Sequence, residues 1–388
     1  MQQYLEQLKA LESDGLLRRC RIVEPEPKAN QAMRVRVDGK PAVNFSSNDY
    51  LGLSKDPRLQ EAAIEAIHCY GTGNAASRLI SGTTELAHEL EETVAAFKQA
   101  EAALVFNSGY QANVAILQAL AGPGDWLFCD RLNHASLVDG CLLSGARWTR
   151  YRHLDLNHLE QKLKKVPTNV RKWIITDSVF SMDGDYPDLN ALADLAERYG
   201  AFVMVDEAHA SGLYGDTRSS GLCEQFGVSN RIALQMGTFS KALGGAGAYV
   251  AGPKTLIQNL INRARGFIYS TAMPPATMAA SKRAIEVVMH DPMPKQRLWE
   301  NVRLFERCLR EKGLAVGPLK SPIIPIVLGD NARTLQASQT LLERGFFVQA
   351  IRQPTVPAGT ERLRIALSAA HEPHDIIRLA EALVVLIL

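Results

Sequence analysis

The chain has 388 residues, and at roughly 100–200 residues per domain that length holds two or three domains. Its 46% apolar and 22% charged residues are those of a folded globular protein and exclude an extended disordered chain. The 43 Lys and Arg against 41 Asp and Glu leave a net charge of +2, too small for a dedicated nucleic-acid binder, which needs a concentrated basic face.

Met1–Arg19 mixes acids and bases around Tyr4, Leu5, Leu8 and Leu11 and reads as an amphipathic helix, not as a secretory signal with its unbroken apolar stretch. A loop with Pro25 and Pro27 follows, and residues 1–43 are expected to form an N-terminal arm. From Asn44 onward short apolar runs alternate with helical patterns. The runs are Ala102–Phe106, Trp126–Cys129, Trp173–Thr176, Phe202–Val205, Ile232–Met236 and Ala248–Ala251. Continuously apolar strands are covered on both faces, so this texture predicts an α/β domain over 44–285 built on a large, mostly parallel sheet. Leu86, Leu90, Val94 and Phe97 share one helix face; Leu189, Leu192, Leu195 and Tyr199 share another, with Gly200 placed to end it in the left-handed conformation.

His290-Asp-Pro-Met-Pro interrupts a helical stretch and changes the pattern. A long helix, a strand at 323–328, a helix at 332–343, strands at 346–351 and 363–368 and a last helix from near Pro373 predict a smaller α+β C-terminal domain over 286–388. No stretch approaches the roughly 20 apolar residues of a membrane span, so no membrane partner is expected. Ala382–Leu388, the most apolar run, reads as the buried end of a helix. The six cysteines (20, 69, 129, 141, 223 and 308) form no Cys-x-x-Cys pair, so no metal site and no disulfide framework is expected, and a reducing cytoplasm suits them.

Two stretches carry the chemistry. In Phe202-Val-Met-Val-Asp-Glu-Ala-His209 an apolar strand delivers an acid and then a histidine at its C-terminal end, the edge where open α/β sheets bind ligands. Asp-Glu-Ala-His also spells a helicase motif, but that reading needs an upstream Gly-Lys-Ser/Thr phosphate loop, and the only Gly-Lys pair, Gly39-Lys40, is followed by Pro41. In Ile232-Ala-Leu-Gln-Met-Gly-Thr-Phe-Ser-Lys-Ala-Leu-Gly-Gly245 a lysine follows a buried strand, where desolvation favours a nucleophilic amine. Either stretch alone is equally an ordinary strand-end carboxylate or a solvated surface lysine. Together, Asp206 and Lys241 on successive strand ends suit pyridoxal phosphate, which needs a Schiff-base lysine and an acid on its pyridine nitrogen. Gly71-Thr-Gly-Asn-Ala-Ala tempts a dinucleotide reading but lacks the third glycine and follows a helical segment.

From Asn44 to His371 the chain resembles the fold-type I pyridoxal-phosphate enzymes and, among them, the α-oxoamine synthases. The resemblance rests on Asn44-Phe-Ser-Ser-Asn-Asp-Tyr-Leu-Gly-Leu53, Asn107-Ser-Gly-Tyr-Gln-Ala-Asn113, Asp130-Arg-Leu-Asn-His-Ala-Ser136 and Ser178-Val-Phe-Ser-Met-Asp-Gly-Asp185, besides the two stretches above. It implies a phosphate-cradling helix start at Gly109 and Tyr110, a His134 that stacks on the ring, adds acid–base help and meets the substrate, Ser181 and His209 near the ring's 3-oxygen, Thr238 at the phosphate, Asp206 at the pyridine nitrogen and Lys241 as covalent anchor and base. It also implies a homodimer with shared sites, with Ser270 and Thr271 reaching the neighbouring subunit's phosphate. Ala75 stands where many relatives have glycine, and Asp177 where the usual residue is glutamate.

Ala350-Ile-Arg-Gln-Pro-Thr-Val-Pro357 resembles the biotin-pathway branch of that family, with Gln353 as its one departure. That branch joins L-alanine to a pimeloyl thioester, carried on coenzyme A or on acyl carrier protein, with loss of carbon dioxide. Arg352 is then expected at the amino-acid carboxylate, where a bidentate pair needs arginine, with Thr355 and Arg18 also at the substrate. A solvated surface charge is an equal reading of Arg18. The open alternatives are glycine with acetyl-CoA, glycine with succinyl-CoA, or a non-catalytic partner subunit that keeps the fold.

Overall fold

The computed structural model describes residues 1–26, 32–314 and 316–387; Pro27 and Leu388 of the expectations above lie outside the described residues. The chain divides into two compact units: residues 53–181 with 185–295, and residues 1–52 with 182–184 and 296–388. The first 52 residues thus group with the C-terminal segment rather than forming a separate body.

The larger unit is built on a seven-stranded sheet. Its strands run in the order Ala102–Phe106, Ala248–Gly252, Leu234–Thr238, Ala201–Asp206, Lys172–Asp177, Trp126–Asp130 and Arg147–Tyr151. Ala248–Gly252 is antiparallel to both neighbours, and all other pairings are parallel. The apolar runs of the sequence are these strands, shifted by at most two residues. Side chains from Leu104, Phe106, Leu127, Cys129, Ile175, Met204 and Met236 form one core with Ile116 and Leu117 of helix Gly109–Leu120 and Ile257 and Leu260 of helix Lys254–Arg263. Asp130, Asp177, Asp206 and Thr238 each close a strand at its carboxyl end. That edge is therefore polar and buried, which is where parallel sheets place ligands.

The other unit carries two small sheets. One orders Val23–Pro25, Arg34–Val37, Lys40–Asn44 and Phe346–Phe347, the last pair parallel. The other orders Ile323–Val327, Arg362–Ala366 and Gln349–Ile351, all antiparallel. The single strand expected at 346–351 is thus divided between two sheets. Residues 34–44, read from sequence as the end of a loop, are a hairpin. Its turn is Asp38-Gly39 with φ of 49° and 82°, the left-handed pair that Asp-Gly supplies in tight hairpins. Helix Gln2–Ser13 forms as expected but buries no residue. In the last helix, Pro373–Ile387, Ala382 and Leu383 are buried while Val385 is 68% exposed, so the end of that run is only partly covered. No helix among the described residues is long and apolar enough to cross a membrane.

His371 is a buried switch point for the stability of this unit. Its Nδ1 accepts from the Ser368 N–H at 2.9 Å, its Nε2 lies 3.0 Å from the Asn44 carbonyl, and its ring stacks on Phe45 at 4.0 Å. An acceptor on one nitrogen and a donor on the other define a neutral ring. Burial, opposed by the Asn44 carbonyl and aided by Arg34, pulls its pKa down to about 4. The unfolded chain therefore takes up this proton first, near pH 6.5, as pH falls. The contribution is complete above pH 6.5 and is lost at about 1.4 kcal/mol per pH unit on the way to pH 4. Urea unfolding at pH 7.5 and 4.5 should show a smaller acid loss for His371→Gln than for the parent; equal losses would show that this histidine is not responsible.

Candidate active site

The carboxyl edge of the large sheet encloses a cavity of about 170 Å³. All the residues expected to hold a cofactor line it: Gly109, Tyr110, His134, Ser181, Asp206, His209, Thr238 and Lys241. Lys241 follows strand Leu234–Thr238, and the neighbouring strand Ala201–Asp206 ends on the acid.

Asp206 is 4% exposed and has both oxygens engaged. Oδ1 accepts from the Ala208 N–H at 2.9 Å, and Oδ2 accepts from Asn113 Nδ2 at 2.8 Å. The same Asn113 amide donates to Ser136 Oγ at 2.9 Å, and Ser136 Oγ meets His134 Nδ1 at 2.7 Å. The Ser136 N–H also donates to Nδ1 at 3.3 Å, so Nδ1 is an acceptor and the proton of the neutral ring lies on Nε2. His134 also caps helix Ala135–Leu143, with Nδ1 accepting from the Ser136 N–H. Burial holds its pKa below the usual histidine value, against the pull of Asp206 and with the help of Lys241. His134 is therefore a neutral, fixed ring on the cavity wall.

Asn113 was not singled out from the sequence as a site residue. It stands one helical turn beyond Gly109, on the same face of helix Gly109–Leu120, and that spacing was the available signal. Asp177, to which no role was assigned, accepts the His134 N–H at 2.8 Å and donates its own N–H to Asn133 Oδ1 at 3.2 Å. Burial, and then the Asp206 charge, push its carboxyl well above the usual aspartate range.

The residues fit a phosphate-bearing ring on two observations. Thr238 Oγ1 is buried and has no hydrogen-bond partner among the described residues. A buried hydroxyl without a partner is costly, and a phosphate oxygen would satisfy it. At Gly109 an added Cβ would lie 2.8 Å from Thr238 Cγ2, so only glycine lets the helix start approach Thr238. Ser108 caps that helix through the Gln111 N–H, leaving the first-turn N–H groups of Gly109 and Tyr110 without helical partners. The Tyr110 hydroxyl bonds Asp139.

Ser270 and Thr271 do not line this cavity. Within the chain, Ser270 Oγ accepts from Gln111 Nε2 and the Thr271 carbonyl accepts from Asn107 Nδ2 at 2.8 Å. Ala75 keeps the left-handed conformation with φ of 52°, a mild strain that glycine would not carry. In the smaller unit, Arg18 Nη2 donates to Thr355 Oγ1 at 3.0 Å, and Arg352 Nη1 donates to the Gly15 carbonyl. Burial and the Arg18 charge lower the Arg352 pKa from its usual value. Arg18, Arg352 and Thr355 thus gather in that unit with the segment after the first helix, while His134, the fourth residue expected at the substrate, belongs to the larger unit.

A sequence model described as Aminotransferase class I and II matches residues 40–383. A protein of Geobacter sulfurreducens named 8-amino-7-oxononanoate synthase is 49% identical over 380 residues, 97% of this chain and 96% of its own. Among solved structures, a serine palmitoyltransferase from S. paucimobilis with bound PLP and myriocin superposes with a TM-score of 0.93 at 29% identity, covering 99% of this chain and 96% of that one. An 8-amino-7-oxononanoate synthase from Francisella tularensis gives 0.76 at 29% identity, over 88% of this chain and 96% of that one. The chain belongs to the class I and II aminotransferase family and, within it, to the group whose members are named 8-amino-7-oxononanoate synthase.

Proposed function

We propose that the protein is a pyridoxal-phosphate-dependent acyltransferase that condenses L-alanine with a pimeloyl thioester. The reaction releases carbon dioxide and the free thiol carrier and yields 8-amino-7-oxononanoate for biotin synthesis. The observation that supports it most is the single cavity on which an acid, a lysine, a neutral histidine and an unsatisfied buried hydroxyl converge.

When bound, pyridoxal phosphate supplies a carbonyl for amine exchange and an electron sink for the alanine Cα. Asp206, held by Asn113 and Ala208, keeps a proton on the ring nitrogen. The neutral face of His134, on the cavity wall, would pack on the ring. Thr238 and the first-turn N–H groups at Gly109 and Tyr110 take the phosphate. Ser181 and His209 hold the 3-oxygen. Lys241 would hold the aldehyde carbon of the cofactor, and its freed amine would be placed to take the alanine Cα proton and return one. Arg352 takes the alanine carboxylate, with Thr355 and Arg18 at the substrate, and two subunits form the working enzyme.

Thr238→Val tests the phosphate assignment. The hydroxyl has no partner among the described residues, so its removal should leave the melting temperature of the apoprotein unchanged or slightly higher. Affinity for the cofactor should fall about tenfold, the worth of a hydrogen bond to a charged group. A destabilised apoprotein with normal cofactor affinity would assign the hydroxyl a structural role instead.

The function itself is tested by offering alanine, glycine and serine with pimeloyl, acetyl, succinyl and palmitoyl thioesters. Alanine with the pimeloyl thioester should give the highest kcat/KM. Glycine with acetyl-CoA or succinyl-CoA as the best pair would replace this reading.

A further inference from the structure

One charged group beside the cavity has no part in the account above. His153 sits between two carboxylates, with Nδ1 2.9 Å from Asp130 Oδ1 and Nε2 3.0 Å from Asp185 Oδ2. Carboxylates accept and do not donate, so both ring nitrogens must carry a proton. The ring edge also rests on Phe180, with centroids 4.4 Å apart at 86°.

Of the three segments so joined, the two that hold the aspartates carry site residues. Asp130 is fully buried and takes the Leu132 N–H at 2.9 Å and the Leu154 N–H at 3.0 Å. It thereby shapes the turn that ends on His134. Asp185 accepts the Phe180 N–H on its carbonyl at 2.9 Å, closing the loop that presents Ser181. Leu154 holds a left-handed φ of 54°, a conformation that a non-glycine residue keeps only when its surroundings fix it.

We propose that His153 is a positioning residue: a cationic bridge that pins the His134 turn and the Ser181 loop to one another and so sets both against the cofactor. The assignment rests on the function proposed above, since it needs those two residues to touch the ring. The hydrogen bonds of both aspartates, against the cost of burial, raise the His153 pKa to about 10, so the bridge is charged throughout the neutral range.

Cofactor titration of apoprotein, together with ¹⁵N-histidine NMR, tests it. In the parent, His153 should show two protonated nitrogens at pH 7.5 and lose one near pH 10. His153→Gln should weaken pyridoxal-phosphate binding about tenfold to a hundredfold, since it removes two charge-assisted bonds. His153→Gln combined with Asp185→Asn should regain most of that affinity, because the amides can bridge without a cation. A neutral His153 at pH 7.5, a His153→Gln protein that binds within twofold of the parent, or a double variant no better than the single would each overturn the proposal. Should His153→Gln not fold, Asp185→Asn alone decides it. The His153 titration should then move down by more than one pH unit and binding weaken, and an unmoved titration rejects the bridge. Failure of the parent to bind pyridoxal phosphate would instead reject the function on which the assignment rests.

Discussion

Lys241→Ala should lower turnover by about 10⁴-fold or more, because it removes the covalent anchor and the base at once. The variant should also lose the visible absorbance of lysine-bound cofactor and the exchange of the alanine Cα hydrogen with deuterated solvent. It should still bind the cofactor, because Thr238, His134 and Asp206 remain on the cavity wall. Lys241 carries no part of the sheet core, so thermal stability of the apoprotein should change little. Residual exchange at the parent rate would move the base role elsewhere, and His134 would be the next group to test.

Asp206→Asn should cost about 10³-fold in kcat with a smaller effect on cofactor affinity. The carboxylate is buried and accepts from Asn113 and Ala208, so it is fixed in position before any ligand arrives. An amide of the same shape keeps the packing, but turns one acceptor into a donor and removes the negative charge that would hold a proton on the ring nitrogen. Cα exchange should slow in parallel with kcat, since both need the electron sink. A variant slowed in condensation but normal in exchange would place the role of Asp206 in a later step. Asp177 makes the comparison sharper. It is also buried at a strand end, yet its carboxyl is pushed up and it serves the His134 backbone. Asp177→Asn should be far milder than Asp206→Asn.

The large sheet was legible because its strands are buried on both faces and therefore read as continuous apolar runs. Strand Arg147–Tyr151 escaped notice for the opposite reason. It lies at the sheet edge, and Arg147 and Arg150 remain exposed, so no apolar run marks it. The Arg34–Asn44 hairpin was legible in principle, with Asp38-Gly39 between Arg-Val-Arg-Val and Lys-Pro-Ala-Val, but was absorbed into the arm.

The site was legible where chemistry restricts residue type: the acid, the lysine, the histidines and the glycine at the helix start. The supports were not. Asn113 orients Asp206 from a helix 93 residues earlier in the chain. Lys98 and Glu207 form a fully buried ion pair, with Lys98 also bound to the Ser220 carbonyl at 2.6 Å and Glu207 to the Cys223 N–H at 2.9 Å. Glu207 belongs to the same Asp-Glu-Ala-His stretch as Asp206, just past the strand, yet its partner is the last residue of helix Glu85–Lys98. A buried pair of this kind costs several kcal/mol to break, so it fixes the chain just past Asp206. Nothing in local sequence announces such a partner; it exists only once the fold brings distant segments together.

The central claim is decarboxylative condensation rather than amino-group transfer on the same fold. The direct measurement is to supply alanine labelled with ¹³C at its carboxyl carbon together with pimeloyl-CoA and to follow the label. One labelled carbon dioxide and one free thiol should appear for each unlabelled 8-amino-7-oxononanoate formed. Label retained in pyruvate, or in an acylated product that keeps its carboxylate, would contradict it.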